Sequence, residues 1–88
     1  MKFFIVEDDL NVITVLKKII NDKNLGTVIS HSLDSENAKE DILILKPDIV
    51  LIDLLMPKKD GITLMTEIKE ENPEISFIMI SQVKEKDM

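Results

Sequence analysis

Apolar residues along this chain follow two alternating patterns: short uninterrupted runs, and longer stretches spaced at three and four residues. Phe3-Phe4-Ile5-Val6 and Ile49-Val50-Leu51-Ile52 are runs without polar alternation, and each ends in acid: Glu7-Asp8-Asp9 after the first, Asp53 after the second. Such runs belong to strands buried on both faces, as in a parallel sheet covered by helices. A third run, Ile75 to Ile80, predicts another strand ending at Ser81. Thr27-Val-Ile-Ser-His31 mixes polar and apolar positions and is expected at an exposed edge.

Between these runs the period becomes helical. Leu10, Val12-Ile13, Val15-Leu16 and Ile19-Ile20 recur at helical steps after a candidate N-cap at Asp9, and Asn24-Leu25-Gly26 ends the helix. Lys17, Lys18 and Lys23 fall late in it, where the dipole favours cations. A second helix, capped by Ser32 or Asp34, carries Ala38, Ile42, Leu43 and Leu45 on its apolar face and stops at Lys46-Pro47, before a strand over 48–53. A third contains Ile62, Leu64, Met65 and Ile68 and closes at Asn72-Pro73. The charged segment Gln82 to Met88 reads as the first turns of another helix. Strands alternating with helices give βαβ units with right-handed crossovers, so the fold class is α/β with a doubly wound parallel sheet.

Composition narrows the function classes. A chain of 88 residues holds one domain, and with only Phe3, Phe4 and Phe77 as aromatics its core must be aliphatic. Met56, Met65 and Met79 occupy apolar positions and are expected to fill that core. A net charge of -6 repels phosphate backbones, which argues against direct nucleic-acid contact. Without cysteine there are no disulfides and no thiolate metal sites. No apolar run approaches the ~18 residues of a membrane span. Glu7, Asp8 and Asp9 break the N-terminal apolar run before it resembles a secretory signal, so a cytoplasmic chain is expected.

The candidate chemistry lies where the strands end. After Asp53, Pro57 and Asp60-Gly61 force a loop, and in open α/β sheets ligands bind outside the carboxyl ends of the strands. If the first and third strands are neighbours, Glu7, Asp8 and Asp53 converge there. Like charges so close must either raise their pKa values or bind a cation, and an oxygen-only donor set suits Mg²⁺. Asp53, alone at the end of a buried strand, is the candidate nucleophile toward a phosphoryl group, and Ser81 brings a hydroxyl to the same edge. Lys58 and Lys59 read as exposed turn lysines, and His31, with no paired His or Cys, as a surface residue.

Three segments together carry a family resemblance: Phe4-Ile-Val-Glu7-Asp8-Asp9, Asp53-Leu-Leu-Met56-Pro57-Lys-Lys-Asp60-Gly61, and Phe77-Ile-Met-Ile-Ser81. The sequence resembles the receiver domain of two-component response regulators along its whole length. The resemblance implies a flavodoxin-like sheet of strand order 2-1-3-4 with strand five and helix five absent, so that residues 1–88 form one incomplete receiver domain. It implies that Asp53 accepts a phosphoryl group from a phosphohistidine on a sensor histidine kinase. Mg²⁺ would be bound by Asp8, Asp53 and the backbone carbonyl of Leu55, with Glu7 acting through water, and Ser81 would contact the phosphoryl oxygens. The family's fifth-strand lysine has no counterpart, since Lys84 and Lys86 lie just past strand four; the switch aromatic of that strand is also missing, and Gln82 stands where similar proteins carry a small residue. On this reading phosphorylation is impaired, and an output domain lies outside the chain.

Two other classes compete. An apolar fourth strand left as an open edge invites pairing with a second copy, which predicts a homo-oligomeric assembly module. A phosphatase with an aspartyl nucleophile ranks last, because it wants a second acid two residues on, where Leu55 stands.

Overall fold

A computed structural model describes residues 1–54 and 61–80. Four strands, β1 (Lys2–Val6), β2 (Thr27–Ser32), β3 (Ile49–Asp53) and β4 (Ser76–Ile80), alternate with three helices, α1 (Leu10–Asp22), α2 (Ser35–Leu45) and α3 (Gly61–Glu71). All strand pairs are parallel, in the order β2-β1-β3-β4. This is the flavodoxin-like arrangement and strand order that the βαβ reading and the resemblance imply.

The uninterrupted apolar runs are explained by helices on both faces of the sheet. Successive strand residues point to opposite sides, so Phe4, Val6, Val50 and Ile52 join Ala38, Ile42, Leu64, Ile68 and Ile75 in one buried cluster with α2 and α3. On the other face, Phe3, Ile5 and Leu51 pack with Ile13 and Ile20 of α1. The two inner strands, β1 and β3, are therefore apolar on both sides. β2 takes an edge, as its mixed polarity predicts, and β4 is the other outer strand among the described residues.

Local signals set the helix ends. The Asp9 carboxylate accepts from the Asn11 N–H at 2.9 Å and opens α1. Asp34, rather than Ser32, caps α2 by accepting from the Glu36 N–H at 2.6 Å. Ser32 instead closes β2, and its hydroxyl donates to the Asp34 carbonyl at 2.7 Å. Lys46, in the left-handed region at φ 51°, ends α2 before Pro47.

Several expectations need correction. The last turn of α1 carries no base: Lys23 is the C-cap, and Lys18 pairs with Asp22 at 3.0 Å. The apolar stripes are narrower than their periodicity predicts, because each sheet face admits only the innermost positions; Leu10, Val15, Ile19, Leu45 and Ile62 are exposed. Met65 is half-buried, and Met79 is 41% exposed on the outer strand β4 rather than in the core. His31 lies within β2 opposite Ile5 and is half-buried, not a free surface residue. The expectations for Leu55, Met56, Pro57, Lys58, Lys59, Asp60, Ser81 and Gln82 to Met88 lie outside the described residues.

Candidate functional site: an acid cluster at the carboxyl edge of the sheet

The site follows from register. β1 and β3 pair so that Val6 stands opposite Ile52. The next residue on each strand is an acid, Glu7 on one and Asp53 on the other. Asp8 follows in the loop to α1, and one carboxylate oxygen from each of Glu7, Asp8 and Asp53 lies within 4.8 Å of the others. The structure thus brings together the three acids picked out by strand-end chemistry.

Their environments differ. Glu7 and Asp53 are almost fully enclosed, at 1% and 4% exposure, whereas Asp8 faces solvent. The Glu7 N–H donates to the Ser32 carbonyl at 3.0 Å, which ties the first acid to the end of β2. The Asp9 N–H donates to Glu7 Oε2 at 3.1 Å. Burial pushes the Glu7 carboxyl up to about 7, helped by hydrogen bonding to Asp8 and by the charge and hydrogen bonding of Asp53, while the Asp9 N–H pulls it down. Near neutrality the cluster thus retains a proton on Glu7 for part of the time, as expected where carboxylates crowd without a cation.

The donor set fits a hard divalent ion. All three donors are carboxylate oxygens, two of them screened from water, and a bound cation would offset the burial and the neighbouring charge that raise the Glu7 pKa. Leu55 and Ser81 fall outside the described residues, so the described part of the site rests on Glu7, Asp8 and Asp53.

Gly61 lies closer to this site than sequence reasoning placed it. It is the buried first residue of α3, and a Cβ there would come within 2.7 Å of the Asp53 carbonyl oxygen. The Asp60-Gly61 pair signalled a turn, but that signal carries no information about which backbone the glycine touches.

A parallel sheet in the order 2-1-3-4 with an acid triad at its carboxyl edge is the frame of a phosphoacceptor receiver. Residues 3–88 match the family model of the response regulator receiver domain, and the chain belongs to that family. The transcriptional regulatory protein GlnL of Bacillus subtilis is 40% identical over 89 residues, spanning all of this chain but only 28% of GlnL. The chemotaxis protein CheY of Listeria monocytogenes is 31% identical over 91 residues, all of this chain and 73% of CheY. Among solved structures, the CheX-CheY-BeF3-Mg complex from Borrelia burgdorferi superimposes with a TM-score of 0.84 at 31% identity, covering 92% of this chain and 61% of that one. No helix among the described residues is long and apolar enough to cross a membrane.

Proposed function

We propose that this chain is a cytoplasmic phosphoacceptor of two-component signalling, in which Asp53 takes a phosphoryl group from a phosphohistidine on a sensor histidine kinase. The observation that carries this reading is the convergence of Glu7, Asp8 and Asp53 at the carboxyl edge of β1 and β3. The solved relative bound to BeF3 and Mg supports it.

In the proposed reaction an Asp53 carboxylate oxygen attacks the phosphorus of the donor. The O–P bond forms as the P–N bond breaks, and the imidazole nitrogen leaves with the electron pair and takes up a proton. Water later hydrolyses the acyl phosphate, returning the carboxylate and inorganic phosphate. Catalysis is confined to this self-phosphorylation and the hydrolysis that follows it. Asp8 and Asp53, with the Leu55 carbonyl, would hold Mg²⁺ directly, Glu7 would contribute through water, and Ser81 would contact the phosphoryl oxygens. Bound there, the ion would neutralise the acids and offset charge on the transferring oxygens. Pairing with Ile80 in the β3–β4 ladder holds Asp53 in place, and the enclosure of Glu7 and Asp53 keeps bulk water from one side of the site.

The test is intact mass after incubation with acetyl phosphate and Mg²⁺. One added phosphoryl group on the native chain and none on Asp53→Asn is the expected result. The same gain on the variant would remove Asp53 from its role.

A second reading, assembly through β4, is favoured by one observation: Ile78 and Met79 on this strand, outer among the described residues, are 48% and 41% exposed. The five residues of β4 carry no charge, so two copies could pair without placing like charges opposite each other. Light scattering across a concentration series is expected to show a dimer that Ile78→Lys abolishes. A monomer at every concentration would end this reading.

A further inference from the structure

We infer that Gly61 is a positioning residue for Asp53, acting through a close backbone approach that a side chain cannot share. Where a function is involved, the inference rests on the proposed role of Asp53. A Cβ on Gly61 would meet the Asp53 carbonyl oxygen at 2.7 Å, the Asp53 carbonyl carbon at 3.4 Å and Ile52 Cγ1 at 3.2 Å. The glycine is not there for its backbone angle, because Gly26 is the only glycine with positive φ in the described chain. What it provides is proximity: the start of α3 rests directly on the backbone of the residue whose side chain joins the acid cluster.

The obstructing atom is backbone, so an added methyl group must displace an element. Packed interiors transmit such displacements instead of absorbing them. α3 is anchored by Leu64 and Ile68, both fully buried in the larger core cluster. On its outer side the end of β3 is held by pairing of Asp53 with Ile80 and by the Leu54 N–H donating to the Ile80 carbonyl at 3.1 Å. Toward β1 the ladder ends one residue earlier, at Val6 and Ile52. Across that gap the Asp53 side chain hydrogen-bonds Glu7, so a shift of the Asp53 backbone is passed to the acid cluster. Pressure from residue 61 changes the separation of the acids before it unseats either element.

The experiment compares Gly61→Ala with Gly26→Ala. Gly26 is also tight, since a Cβ there would overlap the Met1 carbonyl oxygen and meet Phe3 Cε1 at 2.8 Å, but it lies at the opposite end of the sheet. Thermal melts are expected to show both variants folded and both destabilised. In metal-free NMR spectra only Gly61→Ala should shift the Glu7, Asp8 and Asp53 signals. Its Mg²⁺ affinity should fall about tenfold, as when outer partners of a metal site are lost. Its phosphoryl uptake should slow by about tenfold or more, since small misplacements of reacting groups are costly. Unshifted acid signals with native Mg²⁺ affinity would overturn the inference. So would a Gly61→Ala chain that does not fold, which would make the glycine a support of the whole domain, or a Gly26→Ala chain that shifts the same signals. If the native chain takes up neither Mg²⁺ nor a phosphoryl group, the phosphoacceptor reading fails, while the metal-free spectra still decide the role of Gly61.

Discussion

Val6 and Ile52 face each other as the last pair of the β1–β3 ladder, and each is followed by an acid, so one register places Glu7 beside Asp53. A slip of β3 by one residue against β1 would turn the side chains of β3 to the opposite face. Val50 and Ile52 would then leave the core cluster they share with Phe4 and Val6, and the acids would part. Core packing and site geometry thus depend on the same pairing.

Stability without metal should fall as pH rises toward and past neutrality. Glu7 titrates at about 7 in the fold against 4.5 as its ordinary value, so between those values the folded chain binds more protons than the unfolded one. The contribution is fully present below about 4.5 and is lost as pH passes about 7, a change of about 3 kcal/mol in all. Urea melts in EDTA from pH 4.5 to 8, taken as the difference between the native chain and Glu7→Gln, isolate it from the other acids. A difference that does not vary with pH would contradict the assignment.

Glu7→Gln keeps the shape of the side chain and removes its charge. In EDTA at pH 8 the variant should be more stable than the native chain by about 1–3 kcal/mol, because one crowded carboxylate is gone. Its Mg²⁺ affinity should drop at least about tenfold, whether the acid binds directly or through water. Calorimetric titration with MgCl₂ checks the second outcome.

Magnesium should stabilise the native chain most where the acids are fully ionised. At about 100 times its dissociation constant the ion adds about 2.7 kcal/mol, which for a domain this size raises Tm by about 10 °C or more. The rise should be larger at pH 8 than at pH 5, and EDTA should reverse it. Asp53→Asn should reduce it sharply.

Asp34→Ala tests the cap that positions α2. Losing its bond to the Glu36 N–H should cost about 1 kcal/mol without altering Mg²⁺ affinity, since the Asp34 carbonyl that accepts from Ser32 is kept. A chemical melt and a magnesium titration on the same sample read both.

Much of this architecture was legible because it depends on local pattern. Phe3 to Val6 and Ile49 to Ile52 announce inner strands, since only a sheet covered on both faces hides apolar side chains at every position. Asp9 reads as a cap because an acid before a helical run can satisfy an exposed N–H. Helix periodicity said less about burial. Val15 and Ile19 have the right spacing, but which apolar residues on a helix face the core depends on how it lies across the sheet. Met79 is exposed for a similar reason: its run is apolar, yet its strand is an outer one among the described residues. The choice between Ser32 and Asp34 as cap was also undecided, because both side chains can cap and only the length of β2 selects one.

By itself the sequence determined that strands and helices alternate, that the inner strands end in acid, and that those acids suit a hard cation. These are properties of neighbouring residues, set by side-chain chemistry and by period. Only the tertiary structure decided that Glu7 is the enclosed, proton-holding member of the cluster and Asp8 the open one, because burial depends on what packs around a residue. It alone also placed Gly61 against the carbonyl of Asp53. That contact joins residues on two different elements, and no periodicity along the chain encodes a distance between them.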